Sequence, residues 1–375
     1  MREVVGGRMV LGDAVVPGRV VIDDGRITEV VPDSAYAGGP FVAPGFVDVH
    51  CHGWGGHDGT GDGSALTGMA RALLRRGVTS FLPTAPTLAA DELPRFADRV
   101  RAWMPHAPAD GAEPLGFNLE GPFLAPARKG AHDPALLRTP ADLDPLVIDR
   151  VLDGLRVITI APELPGALAL IGRLAALGIV VSIGHSAATL DEARAGYAAA
   201  GGTAVTTTHL FNAMTGVDHR KPGLAVAALA DDRAYAELIA DGFHVHPALW
   251  PIITRTKPAD RLVLISDALP LAGMGDGRTR VGGLEVEIRG GRATLVGTDT
   301  LAGSTIALDT AVRNLVREGL PLPRAVAAAS ANPAALLGAH DRGRLEPGRL
   351  AHLVVLDEEL RVLRVLRGTA WVDAA

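Results

Sequence analysis

An α/β fold, a (β/α)₈ barrel of the TIM type with a small β-sandwich domain made by both termini, is what this sequence predicts, and three observations predict it. The middle of the chain alternates short apolar runs with alanine- and leucine-rich stretches, the signature of βα units. Eight such apolar runs occur, which suits a closed barrel better than an open sheet. Both ends, by contrast, read as short strands separated by turns, and neither end alone supplies enough strands to cover a core.

In chain order, residues 1–44 offer strands at 3–5, 18–23 and 26–31, the last two joined by the Asp24-Gly25 turn, and nothing helical fits there. The eight barrel strands are expected at 46–52, 77–83, 115–120, 156–162, 179–185, 204–209, 236–241 and 262–267. Helical stretches lie between and after them, at 65–76, 166–177, 189–200 and 307–318. After the eighth strand, 281–288 and 293–296, joined by Arg289-Gly-Gly-Arg292, read as a β-hairpin inserted near 281–296. From 343 to 375 the strand pattern returns at 350–357 and 361–367, after the Glu346-Pro-Gly348 turn. The expected division is therefore 1–44 plus 343–375 for the small domain and 45–342 for the barrel.

Composition narrows the function. Of the 375 residues 48% are hydrophobic, enough for a large core, and a net charge of −6 with no basic stripe argues against nucleic acid as a partner. The lone cysteine, Cys51, excludes an internal disulfide framework and fits a reducing compartment. No apolar run reaches the ~18–20 residues of a membrane span, and no signal core follows Met1, so the expected location is the cytoplasm.

Active sites of such barrels are built at the C-terminal ends of the strands, and here those ends carry chemistry. Strand one ends in His50 and His52, which strand alternation places on one face, with Cys51 pointing the other way as a small buried residue. Strand three ends in Glu120-Gly-Pro122, strand five in Gly184-His185-Ser186, strand six in Thr208-His209-Leu210 and strand eight in Ser266-Asp267-Ala268. Imidazoles and carboxylates converging at one end suit Zn²⁺ or Fe²⁺, without choosing between them. A bound ion brings the pKa of its water toward ~7, which points to hydrolysis, with Asp267 as base toward that water and acid toward the leaving group. His57, in the loop beyond Gly53-Trp-Gly-Gly56, reads as an ordinary loop residue.

Pro44-Gly-Phe-Val-Asp-Val-His50, Leu119-Glu-Gly-Pro122, Gly184-His-Ser186, His209-Leu-Phe-Asn-Ala-Met214, Ala240-Asp-Gly-Phe-His244 and Ser266-Asp-Ala268 together resemble the amidohydrolase superfamily, and within it the deacetylases of N-acetylglucosamine 6-phosphate. The resemblance covers essentially the whole chain, and His209-Leu-Phe-Asn-Ala-Met214 is its most specific part. It implies hydrolysis of the acetamide to acetate and glucosamine 6-phosphate, with the galactosamine epimer or a non-phosphorylated amide as alternative substrates. It implies that Glu120, His185 and His209 hold the principal divalent ion and that Asp267 is the acid/base; the strand-one pair varies among such enzymes, and with both present here His50 and His52 either seat a second ion bridged through Glu120 or hydrogen-bond in a site with one ion. It implies further that His244 meets the substrate near the carbonyl, that Asn212 and Ala213 bind the phosphate through their backbone, and that Arg220 pairs with it by a forked, charge-assisted contact. His132, with Ala131 beside it, is implied as a sugar contact, and Leu301, Ala302 and Gly303 belong to a substrate loop. Such enzymes are expected to be homodimers, in which Arg220 acts in its own or in the neighbouring subunit.

Overall fold

Each of the eight apolar runs folds as a strand in the computed structural model, which describes residues 2–374. The strands are Phe46–Cys51, Val78–Ala85, Phe117–Glu120, Leu155–Ile160, Val180–Ile183, Val205–Thr207, Ala236–Leu238 and Leu262–Leu264. Nearly every residue in them is buried, as a parallel sheet covered on both faces requires. The first six pair in sequence order, and the last two form a ladder of their own. Backbone bonds join the sets: Thr207 N–H to Tyr235 O at 3.0 Å, Tyr235 N–H to Val205 O at 2.9 Å and Leu210 N–H to Glu237 O at 2.8 Å. Asp267 N–H to His50 O, at 2.9 Å, ties the end of the eighth strand back to the first and closes the ring.

The interior is layered. Val47, Val49, Leu82, Val157, Val180 and Val263 form an apolar floor. Above them lie buried hydroxyls and Glu237, with Ser182 Oγ and Thr206 Oγ1 each donating to Glu237 Oε1 at 3.3 Å. The first strand changes phase between these layers. Asp48 pairs with Phe81 but Cys51 pairs with Pro83, three residues of advance against two, so one extra residue is accommodated as a bulge. Below the bulge Val47 and Val49 face inward. Above it His50 and His52 do.

Helices cover the outside where alanine and leucine recur at helical spacing. Gly63–Leu74, Ala167–Ala176, Leu190–Ala199 and Leu308–Arg317 lie within about two residues of the ranges expected. The Leu190–Ala199 helix begins with a capping box in which Thr189 and Glu192 satisfy each other's backbone N–H.

The termini meet in one seven-stranded sheet, in the order Ala370–Asp373, Val362–Arg367, His352–Leu356, Phe41–Pro44, Arg2–Leu11, Ala14–Asp23, Arg26–Pro32. Ile27 from one edge and Leu366 from near the other pack into a single cluster with Val5, Met9, Val20 and Leu353, so the sheet folds over on itself as a sandwich does. A single 3₁₀ turn, Ser34–Tyr36, interrupts the N-terminal segment, which the sequence reading had as strands and turns alone.

The insertion near 281–296 is not a hairpin but a three-stranded meander: Gly277–Val281, Leu284–Arg289 and Arg292–Leu295. The first strand escapes a hydrophobicity reading because Gly-Arg-Thr-Arg-Val has no apolar alternation. Its arginines pair across the ladder instead, Arg278 with Glu287 at 3.0 Å and Arg280 with Glu285 at 3.2 Å. The other face of the meander buries Val286, Ile288 and Ala293 against Leu269 and Ala302.

Arg342 locks the sheet domain's return strand to the bottom of the barrel. Its buried guanidinium donates to Ser80 Oγ and Glu113 Oε2, both at 2.9 Å, and to Asp341 Oδ1 at 2.9 Å. Arg342→Met keeps the apolar stem and removes these bonds. Since both acids are partly exposed, the expected loss is about 2–3 kcal/mol of unfolding free energy, read by denaturant titration. An unchanged midpoint would show that the bonds contribute nothing net.

Candidate functional site

Loops turn away at the C-terminal strand ends, and three of the residues there sit in the left-handed region: His185 at φ 46°, His209 at φ 28° and Asp267 at φ 49°. Non-glycine residues held so cost on the order of 1–3 kcal/mol each, and the surrounding structure must over-determine them. One reason the chain can turn here is Gly184, where a Cβ would come within 2.4 Å of Thr208. The result is that side chains from different strands lean over the mouth of the barrel.

Glu120 is the centre on which they converge. Its Oε1 lies 2.9 Å from His185 Nε2 and 3.0 Å from His209 Nε2, and those two nitrogens are 3.0 Å apart. Its Oε2 lies 3.2 Å from His52 Nε2 and 3.7 Å from His50 Nε2, again a close pair at 3.3 Å. Asp267 Oδ1 is 3.2 Å from His52 Nε2 and 3.6 Å from His50 Nε2. Two triads able to hold a metal ion therefore share Glu120: His50, His52 and Glu120, and Glu120, His185 and His209.

Hydrogen bonding fixes which nitrogens are free to ligate. His185 Nδ1 lies 2.8 Å from Arg128 O and His52 Nδ1 lies 3.1 Å from Thr84 O. A carbonyl only accepts, so in each ring Nδ1 carries the proton and Nε2 offers its lone pair inward. Lone pairs facing each other across about 3 Å are what a divalent cation requires, and backbone acceptors behind the rings are the usual support for such ligands.

The electrostatics agree. Burial alone would lower His50 and His52, but Glu120 and Asp267 outweigh it, raising His50 well above its usual value and His52 to about 9. Burial would raise Glu120 and Asp267, yet the facing histidines hold both carboxyls below the ordinary range. Carboxylates that favour positive charge on these rings favour a cation between them equally.

A cavity of about 430 Å³ opens above these groups. It brings together His52, Glu120, His185, His209 and Asp267 with His244, Asn212 and Ala213, and with Ala131 and His132. Leu301, Ala302 and Gly303 line it as well, so the substrate loop read from sequence reaches the site. Two of the residues singled out in the sequence do not line it. His50 is buried behind His52, and Arg220 is exposed on the loop after the sixth strand. His132 is pushed by burial down to about 4, so it is neutral. Thr87 N–H donates to its Nδ1 at 3.2 Å, which leaves the Nε2 proton facing Glu120 Oε2 at 3.3 Å. Asn212 N–H is already donated to His209 O at 3.0 Å, while Ala213 N–H makes no bond among the described residues. His57 packs against Gly68, whose Cβ would lie 2.3 Å from the imidazole, and it takes no part in either triad.

Sequence reasoning passed over three groups. Glu237, whose Oε2 is 3.5 Å from His50 Nδ1 and accepts His209 N–H at 3.4 Å, was signalled by an acid inside an apolar strand. Asp241 was quoted in a motif without a role, although it bonds His244. Arg292 lines the cavity from the meander together with Val281 and Val286, and only the fold could place it there.

The amidohydrolase family matches this chain over residues 41–372. The N-acetylgalactosamine-6-phosphate deacetylase of Escherichia coli O157:H7 is 41% identical over 333 residues, covering 86% of this chain and 85% of that protein. The N-acetylglucosamine-6-phosphate deacetylase of Bos taurus is 40% identical over 380 residues, covering 95% and 90%. Among solved structures, a mutant N-acetyl-D-glucosamine-6-phosphate deacetylase from Mycobacterium smegmatis, in complex with N-acetyl-D-glucosamine-6-phosphate, superimposes with a TM-score of 0.89 at 39% identity, covering 99% of each chain.

Two metal measurements separate the triads. If both triads hold an ion, replacing both His50 and His52 by alanine removes about one metal equivalent and leaves the one at Glu120, His185 and His209, whereas unchanged stoichiometry makes the site mononuclear. His185→Ala or His209→Ala is expected to reduce occupancy of that principal position. Elemental analysis after gel filtration reads both, and full metal content in the His185 or His209 variant would overturn the assignment.

Proposed function

The chain belongs to the amidohydrolase family, and from that premise we propose that it hydrolyses the acetamide of N-acetylglucosamine 6-phosphate to acetate and glucosamine 6-phosphate. One observation carries the reading: a single cavity is lined by Asp267, Glu120, His52, His185 and His209 and also by Asn212 and Ala213 of the His209-Leu-Phe-Asn-Ala-Met214 turn. That lining sets acid/base and metal-ligating groups in one cavity with a free backbone donor, which suits a small substrate carrying both an amide and an anion. In that turn, with Phe211 at φ 76° and Ala213 at φ 47°, the N–H of Ala213 makes no bond among the described residues and is the backbone donor left for a phosphate. The Mycobacterium smegmatis relative was solved with this sugar phosphate.

The family is metal-dependent, and Zn²⁺ or Fe²⁺, one or two ions per subunit, fits the imidazole and carboxylate donors. A divalent ion there supplies acidified water and a polarised amide carbonyl. The chain's own groups do the rest. Asp267, whose carboxyl is held ionised by His52 and His50, takes the proton of the attacking water and delivers it to the departing amine nitrogen. His244 donates to the carbonyl oxygen, where negative charge develops. Asn212 and Ala213 orient the phosphate, and His132 with the 301–303 loop holds the sugar.

Arg220 pairs with the phosphate in this reading. Because it lies exposed and outside the cavity, a homodimer in which it reaches the neighbouring subunit accounts for its position. Exposed Val217 on its own loop and exposed Phe243 on the next are apolar surface for such an interface. Cytoplasmic location fits the single buried Cys51. Among the described residues no helix is long and apolar enough to cross a membrane. The galactosamine epimer is the second reading, favoured by the Escherichia coli relative.

Acetate release from both sugar phosphates and their unphosphorylated forms tests the substrate. Preference for the galactosamine epimer, or equal turnover without phosphate, would replace the reading. Asp267→Asn is expected to keep its metal and lose roughly 10²–10⁴ in kcat, since an amide cannot relay the proton. Arg220→Ala is expected to lower kcat/KM on the phosphorylated sugar by roughly ten- to a hundredfold, from loss of a ~1.5–3 kcal/mol charge-assisted contact, and to leave the unphosphorylated sugar unaffected. Mixing the two impaired variants raises activity on the phosphorylated sugar above that of either alone if Arg220 acts in trans. Hybrids that form without recovery place it within its own subunit.

A further inference from the structure

We propose that Asp241 is a positioning residue: it holds the Nδ1 proton of His244, so that the ring must present a second proton, on Nε2, to the carbonyl oxygen of the scissile amide. The proposal rests on the reading of the cavity given above.

The geometry is unusually restrictive. After the seventh strand the chain turns at Gly242, and Asp241 spans the turn with both of its oxygens. Oδ1 accepts the backbone N–H of Phe243 and of His244, each at 2.9 Å. Oδ2 lies 2.7 Å from His244 Nδ1. Both side chains are nearly shut off from solvent, 3% exposed for Asp241 and 5% for His244, so water does not compete for the bond. The strand end itself is anchored from the helix Leu308–Arg317, by Asn314 Nδ2 donating to Ala240 O at 2.8 Å. His244 therefore has one orientation, with Nδ1 turned to Asp241 and the rest of the ring lining the cavity beside Asp267.

The chemistry follows from donors and acceptors. An ionised carboxylate only accepts, so Nδ1 must be protonated. An amide carbonyl oxygen likewise only accepts, so contact through Nε2 demands a proton there too, and the imidazolium results. A cationic donor bonds more strongly than a neutral one, and most strongly when the oxygen gains negative charge on attack. Asp241 and Asp267 raise His244 above its usual value despite its burial, which supports the cationic ring. Neither Asp241 nor Nδ1 touches the substrate.

Asp241→Asn isolates this role. The asparagine Oδ1 can still accept from Phe243 and His244, so the turn survives, but the Nδ2 amide cannot accept from Nδ1. The ring is then stable with Nδ1 bare and Nε2 protonated, a neutral donor still aimed at the cavity. In the zinc-loaded full-length protein, labelled with ¹⁵N-histidine, the Nδ1 resonance of His244 should sit at the protonated position in wild type and move to the unprotonated position in Asp241→Asn. kcat on the sugar phosphate should fall about ten- to a hundredfold while KM stays within about threefold, because only the transition state gains from the charge. In a His244→Gln background the same substitution should have no further effect.

A bare Nδ1 in the wild-type enzyme overturns the proposal even if the variant does not fold. So does an Asp241→Asn penalty of the same size in the His244→Gln background, which would make Asp241 a turn-forming residue only. Failure of the wild type to release acetate from either sugar phosphate would overturn the substrate reading instead, and the ring's protonation would still be read directly.

Discussion

A buried carboxylate is too costly to stand alone in a protein interior, and at the mouth of this barrel Glu120 is answered by four imidazoles from three strands. Most of what surrounds it follows from keeping those rings in place. His185 and His52 are turned inward because backbone carbonyls of Arg128 and Thr84 take their outer protons. His50 has Glu237 behind it, and His132 is held neutral by burial with its proton toward the same carboxylate. His52 and His185 each have one tautomer to offer and one direction in which to offer it. A shared carboxylate with a nitrogen pair on either side is accordingly suited to divalent cations, and the same groups without cations can only share protons.

The scaffold accepts local strain to achieve this. A regular first strand would have kept Val47, Val49 and Cys51 on one face, and the bulge after Asp48 is what brings His50 and His52 around above an apolar floor. His185, His209 and Asp267 adopt left-handed backbone at strand ends. Such conformations persist where packing beneath them is extensive, and the barrel's apolar floor and its layer of buried hydroxyls supply that packing. Rigidity below is the condition for precision above.

The three-stranded meander adds a wall. Its apolar face is buried on Leu269 and Ala302, and Val281, Val286 and Arg292 border the cavity opposite the triads. A barrel mouth is otherwise wide and open to water, so a wall there narrows the site to a small substrate and raises the worth of every charge within it. The sandwich made by the two termini lies elsewhere, joined to the bottom of the barrel through Arg342, and bears on the site only by holding the barrel's ends.

Sequence alone determined the barrel, because near-continuous short apolar runs separated by helical stretches can bury both faces only in a parallel sheet covered by helices. It determined as well that histidines and acids stood at the C-terminal strand ends, since strand ends are marked by the Gly, Pro or small residue that follows. Three things were decided only by tertiary structure. The Gly277–Val281 strand carries no apolar alternation and is set by its backbone ladder with Leu284–Arg289, where Glu285 and Glu287 lie across from its arginines. The inward turn of His50 depends on register with the second strand, a relation between residues about thirty apart in the chain. The tautomers of His52 and His185, and the pairing of His244 with Asp241, depend on acceptors whose identity no spacing rule encodes, because hydrogen-bond direction is set by the position of single atoms in the folded chain.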